Sequence, residues 1–171
     1  MTAPMLQRWR THGRARRPSS TRDEATGLMH AAAFHVVGAH ALRQAAADGQ
    51  SAGLVLVRLG EDPPSGVAQA LECTDNTRLA ASLLAGETRG EDVLARTGTR
   101  ELCALMPGYG PDECARAAAR VREAFVLVGA FDSSPPCAAV TVVGSASATP
   151  SRAAGEADVV ALVAAARQCA Q

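Results

Sequence analysis

The sequence has no lysine: all 17 of its basic residues are arginine. A bias that complete reads as a property of coding, so residue type alone singles out no Arg. Aromatic residues make up only 3% of the chain. That disfavours stacking of successive nucleic-acid bases on aromatic side chains, and it leaves Ala, Val and Leu to fill the core. No apolar run approaches the ~18 residues of a membrane-spanning helix. The basic N-terminus is not followed by an apolar signal region of roughly 7–15 residues. Arg16-Arg17 is similar to a twin-arginine signal, but Pro18-Ser19-Ser20-Thr21 follows in place of an apolar stretch. Cysteines at 73, 103, 114, 137 and 169 are odd in number and never spaced C-x-x-C. They suggest neither a disulfide framework nor a zinc site, and read as small buried side chains in a reducing compartment. The four His (12, 30, 35 and 40) do not combine with Cys at metal-ligand spacing; His35 and His40 fall on a helix surface or its polar edge. The expectation is a cytoplasmic protein with no membrane span.

What is present suits one α/β domain preceded by an arm. The chain has 171 residues and is 47% hydrophobic, enough for one packed core. Its net charge of zero is unevenly placed. Residues 1–22 carry six Arg (8, 10, 14, 16, 17 and 22) and no acid, whereas the remainder carries 11 Arg against 17 acids, a balance of −6. The arm lacks apolar periodicity, and Gly13, Pro18, Ser19 and Ser20 interrupt any helix. A solvated, disordered tail is the preferred reading; contact with nucleic acid, anionic lipid or an acidic partner is the alternative. Trp9, the single Trp, is expected to dock on its own domain rather than on a partner. The domain is expected over residues 23–171.

Asp23 to Leu28 reads as a turn leading into a helix from about Met29 to Ala47, with Phe34, Val37, Ala41 and Leu42 on one face. Asp48-Gly49-Gln50 ends it. Ala52 to Leu59 is continuously apolar and reads as a strand buried on both faces. After the Pro63-Pro64-Ser65-Gly66 loop, a helix is expected from about Gly66 to Leu84, with Ala70, Leu71, Leu79, Leu83 and Leu84 inward. Val93–Thr97 and Leu102–Met106 form a β-hairpin about Gly98, Thr99 and Arg100, with Gly98 supplying permissive backbone. Pro111-Asp112-Glu113 opens a third helix running to about Phe125, with acids in its first turn. Val126–Ala130 reads as a short strand, Ser133–Pro136 as a loop, Ala138–Gly144 as a strand, 145–156 as a loop, and Asp158–Cys169 as a closing helix.

The hairpin resembles the signature of GGDEF domains, the diguanylate cyclase family, whose turn carries Gly-Gly-Asp/Glu-Glu-Phe. Here the five positions read Gly98-Thr99-Arg100-Glu101-Leu102, so two of five match. The resemblance extends over about Asp23 to Cys169. Asp23-Glu24-Ala25-Thr26-Gly27-Leu28 is similar to the family's Asp-x-Leu-Thr-Gly-Leu, and Val140-Thr141-Val142-Val143-Gly144 to its Val-Thr-Val-Ser-Ile-Gly. At the end of the chain Ala157-Asp158 and a later Ala-Leu remain of Ala-Asp-x-Ala-Leu-Tyr-x-Ala-Lys, without the Tyr or the phosphate-contacting Lys. The resemblance implies a central, mainly antiparallel sheet of about five strands flanked by helices, the nucleotidyl-cyclase-like arrangement.

The resemblance also locates what is missing. The family joins two GTP molecules with a divalent metal held by carboxylates. The two carboxylate positions correspond to Arg58 on the strand and Arg100 in the turn; Glu61 and Asp62 lie near the first but out of register. The family's guanine-reading Asn corresponds to Gly66, and Asp75 falls near its Asp. Two unit charges of like sign about 4 Å apart repel by ~4 kcal/mol at an effective dielectric near 20, a ~1,000-fold rate loss if it falls on the barrier. Thr99 adds a side chain where the family uses Gly, and Glu101 alone does not rebuild a metal site. The expectation is therefore no catalysis and no cofactor. Arg58 and Arg100 are expected to be solvated turn residues, with direct phosphate binding as the alternative.

A second family site is more complete. The family is product-inhibited through Arg-x-x-Asp five residues before the turn, and Arg89 and Asp92 match both pattern and placement. Arg120, within Ala118-Ala119-Arg120-Val121-Arg122, corresponds to a further family Arg on the next helix. An Arg fork suits guanine O6 and N7, and a carboxylate suits the N1–H and N2 donors. The resemblance implies a non-catalytic receptor for cyclic di-GMP, bound as an intercalated pair, with a protein partner and a possible homodimer. Two alternatives stay open: Arg89 and Asp92 form an ordinary surface ion pair, or the domain is a protein-interaction module that binds no nucleotide.

Overall fold

The computed structural model describes residues 21–60, 67–131 and 142–170. Nine elements follow in order: β1 (Met29–His30), α1 (Ala31–Ala47), β2 (Ala52–Arg58), α2 (Val67–Gly86), β3 (Val93–Gly98), β4 (Glu101–Pro107), α3 (Pro111–Phe131), β5 (Val142–Ala148) and α4 (Glu156–Cys169). The five strands form one sheet in the order β1-β3-β4-β2-β5. Only β1 and β3 run parallel; the other pairs are antiparallel. The expected α/β class and mainly antiparallel sheet are what the chain adopts.

Strand β2 lies inside the sheet, between β4 and β5. Alternation along a strand sends successive side chains to opposite faces. Leu54 and Leu56 join Phe34, Leu42, Cys103, Leu105, Val159 and Val163 beneath α1 and α4. Val55 and Val57 join Ala80, Leu84, Leu102, Met106, Cys114 and Val121 beneath α2 and α3. Both faces are covered, which is why the run lacks polar alternation.

Several local expectations are corrected by this packing. Val126–Ala130 belongs to α3, not to a strand. Both sides of β2 are already occupied by β4 and β5, and Val126 and Leu127 stay exposed on the helix. Strand β5 runs through Gly144 to Ala148 instead of ending at Gly144. Its small residues Ser145–Ala148 pair with Val55–Ala52, so ladder hydrogen bonds outweigh weak strand propensity. The expected start of that strand and the Ser133–Pro136 loop lie outside the described residues. On α1, Val37 is outward while Gly38, Ala39 and Ala45 accompany Phe34 and Leu42 inward. On α2, Leu79 is outward, and Thr77, Ala80, Ala81 and Leu84 face the core; Ala70 and Leu71 lie outside the residues whose side chains are described. Small residues take the inward positions because the helices sit close to the sheet.

The hairpin turn differs in detail. Gly98 remains in β3 opposite Glu101, after a bulge between Arg96 and Gly98. It does not adopt positive φ; a Cβ there would lie 3.3 Å from the Cβ of Glu101. Gly98 therefore serves close cross-strand approach rather than an unusual backbone. Gly144 is tighter: an added Cβ would lie 2.1 Å from the Ala166 carbonyl oxygen and 2.8 Å from the Ala170 Cβ. Gly144→Ala must push α4 off the sheet and is expected to lower stability by about 1–3 kcal/mol or more. Urea unfolding of the variant beside the parent chain checks this, and equal midpoints would show that α4 does not sit so close.

Candidate functional site

The Arg-x-x-Asp segment caps the end of α2. Glu87 and Thr88 donate their amides to the Leu84 and Ala85 carbonyls, ending the helix. Arg89 N–H then donates to Asp92 Oδ2 at 2.7 Å, and Asp92 N–H donates to the Arg89 carbonyl at 3.1 Å. The spacing of three thus closes a turn, as acidic side chains do when they accept from nearby backbone. Arg89 and Asp92 are not a surface ion pair. The Arg89 guanidinium lies 3.9 Å from Glu91 and 4.8 Å from the centre of the Tyr109 ring, a cation–π arrangement.

Asp92 is 9% exposed, and its Oδ1 is buried without a hydrogen-bond partner. Burial pushes its carboxyl above the ordinary range, with Glu91 adding repulsion, against the opposing Arg89 N–H bond and guanidinium. Such an oxygen is costly to leave unmatched. Asp92 as a residue lines an open cleft of about 370 Å³, together with residues that include Arg22, Leu28, Met29, Arg89 and Leu94. Arg89 and Asp92 therefore share a cleft. Arg120 does not line it; from α3 its Nε donates to Glu87 Oε2 at 3.0 Å.

The turn that corresponds to the family's catalytic signature is closed by internal pairing. Glu101 is 9% exposed, and Arg167 of α4 donates to both its oxygens, at 2.9 and 2.6 Å. Thr97 Oγ1 donates to Oε1 at 2.7 Å, and Arg58 stands 3.7 Å from Oε2. Burial would raise the Glu101 carboxyl, but these hydrogen bonds and charges outweigh it and hold the group below its ordinary range. Arg100 Nη1 donates to the Gly60 carbonyl, and Leu59 N–H donates back to the Arg100 carbonyl at 2.9 Å. Arg58 stays exposed at the end of β2 beside Glu101, whereas Arg100 is half-buried and bonded to Gly60. Thr99 is exposed, and its carbonyl accepts from Arg96 at 2.7 Å. Among the described residues this turn offers a divalent cation one carboxylate, and Arg167 takes both its oxygens.

Sequence reasoning did not find Arg167, Tyr109, Glu87 or Arg22. Arg167 is the only charged residue after Asp158 on α4, a signal visible in the chain; its target was not. Cys103 and Cys114 are buried as expected, whereas Cys169 is exposed. Burial pushes the Cys103 thiol up to about 12, so it is inert at neutral pH. No helix among the described residues is long and apolar enough to cross a membrane.

No protein-family model matches the chain, and no curated protein does. Solved structures do. The chain is similar to a sensory box/GGDEF family protein from Caulobacter crescentus, at 21% identity and a TM-score of 0.68 over 88% of this chain and 96% of that one. It is similar to the FimX GGDEF domain from Pseudomonas aeruginosa, at 20% identity and a TM-score of 0.64 over 88% and 91%. A third is the GGDEF domain of DgcB from Caulobacter crescentus, solved in complex with cyclic di-GMP, at 18% identity and a TM-score of 0.64 over 98% and 92%. The chain has the fold of GGDEF domains.

The two buried carboxylates should show opposite pH signatures. Asp92, raised above its reference of 3.8, costs stability once pH climbs through its folded value. Asp92→Asn should therefore stabilise at neutral pH and lose that gain below about pH 3.8. Glu101, lowered below its reference of 4.5, contributes stability that is complete above that pH and lost as pH falls through its folded value. Glu101→Gln should cost about 1.5–3 kcal/mol at pH 7, with the deficit shrinking in acid. Thermal unfolding of both variants from pH 3 to 7 is the check; parallel curves would refute the assignment.

Proposed function

We propose that this chain is a non-catalytic cyclic di-GMP receptor of the cytoplasm. The observation that carries the reading is the buried Asp92 Oδ1, left without a partner beside Arg89 in one cleft. Guanine presents adjacent N1–H and N2 donors, which match an unsatisfied carboxylate oxygen. The Arg89 guanidinium, held over Tyr109, supplies a planar fork for guanine O6 and N7 or for phosphate. Arg120 completes the set by leaving Glu87, and an intercalated pair of ligands would bring it into use. The turn at Thr99, Arg100 and Glu101 takes no part: its carboxylate is consumed by Arg167 and Arg58, so the domain signals by binding rather than by turnover.

A second reading, a nucleotide-free protein-interaction module, draws on the exposed Val126 and Leu127 of α3. Isothermal titration separates the two. Cyclic di-GMP is expected to bind at micromolar affinity or better, Arg89→Ala to weaken it at least tenfold, and GTP with Mg²⁺ to yield no cyclic product. Glu87→Gln, which releases Arg120, is expected to tighten binding several-fold. Silence of the unaltered chain with cyclic di-GMP would overturn the receptor reading and favour the interaction module.

A further inference from the structure

The segment before α1 is folded back on itself. Asp23 N–H donates to the Leu28 carbonyl at 2.7 Å and Gly27 N–H to the Asp23 carbonyl at 2.8 Å. Gly27 takes φ +72°, a left-handed backbone that suits glycine. Asp23 Oδ1 accepts from both the amide and the hydroxyl of Thr26 at 2.9 Å, and Arg96 of β3 grips the same carboxylate at 3.1 Å. The turn is therefore fastened to the sheet. It presents Arg22, which pairs with Met29 as an isolated antiparallel bridge and whose Nη1 donates to the Gly27 carbonyl at 2.8 Å.

This arrangement places Arg22 on the wall of the cleft that Arg89 and Asp92 also line. The remaining lining includes the apolar Leu28, Met29 and Leu94. A cleft lined by apolar residues, one aspartate and two arginines suits a flat, donor-bearing base joined to a phosphate. Its volume of about 370 Å³ lies at the low end for small-molecule sites, and so suits one guanosine phosphate half of a larger ligand. We infer that Arg22 is a further ligand-binding residue, contacting the phosphate attached to the guanine that Asp92 reads. The inference rests on the receptor reading and adds a residue that immediately precedes the Asp23–Leu28 turn. It also makes recognition depend on the turn that Gly27 and Asp23 shape.

Titration of the full chain with cyclic di-GMP and with GMP, in the parent and in the Arg22→Ala, Arg22→Lys and Arg89→Ala variants, tests it. Arg22→Ala is expected to weaken cyclic di-GMP binding about tenfold and to flatten its dependence on salt. Arg22→Lys keeps the charge without the fork and should recover part of the affinity. Amide NMR spectra of each variant, compared away from residues 21–30, report whether the fold is intact. Cyclic di-GMP binding that Arg89→Ala abolishes while Arg22→Ala leaves affinity and salt dependence unchanged would overturn the role of Arg22 and spare the receptor. Absence of binding to the parent chain would overturn both.

Discussion

The contact on which the functional face depends is the grip of Arg167 on Glu101. It joins the closing helix to the hairpin across 66 residues, with Arg58 from the end of β2 completing the group. A carboxylate this buried is unfavourable alone and tolerable only when its charge and lone pairs are met. The group therefore links β2, β4 and α4 at one end of the sheet. Gly144 lets α4 come close enough for this, because the helix backbone lies where a Cβ would stand.

The same contact occupies both Glu101 oxygens. A divalent ion needs carboxylate oxygens with lone pairs to give. Here those oxygens receive guanidinium hydrogen bonds, and the neighbouring positions repel a cation. At the start of β3 the logic is reversed: Asp92 is buried but incompletely matched, and Arg89 is poised on an aromatic ring. Buried polar groups left unsatisfied are uncommon, and they concentrate where a protein binds or reacts.

Much of the fold was legible because it is encoded locally. The unbroken apolar run of β2, the two halves of the hairpin and the acid-rich start of α3 are nearest-neighbour patterns, and backbone hydrogen bonding follows them. The errors came where neighbours decided instead. Val126–Ala130 has strand-forming residues but continues α3, and β2 already has β4 and β5 on its two sides. Ser145–Ala148 has poor strand formers but a waiting partner in β2. Leu79 and Val37 were assigned inward on helical spacing, yet the close approach of the helices selects alanine and glycine for those faces.

The site divides in the same way. By itself the sequence determined the order Gly98-Thr99-Arg100-Glu101-Leu102 at the hairpin turn, and that Arg89 and Asp92 are three apart ahead of the hairpin. These are matters of order along the chain. Only the tertiary structure decided that Asp92 turns inward to bond the Arg89 backbone, that Arg120 is taken by Glu87, and that Arg167 rather than a metal satisfies Glu101. Charge pairing operates over a few ångströms in space without regard to separation in sequence, so its outcome waits on the register of the sheet and the seating of the helices.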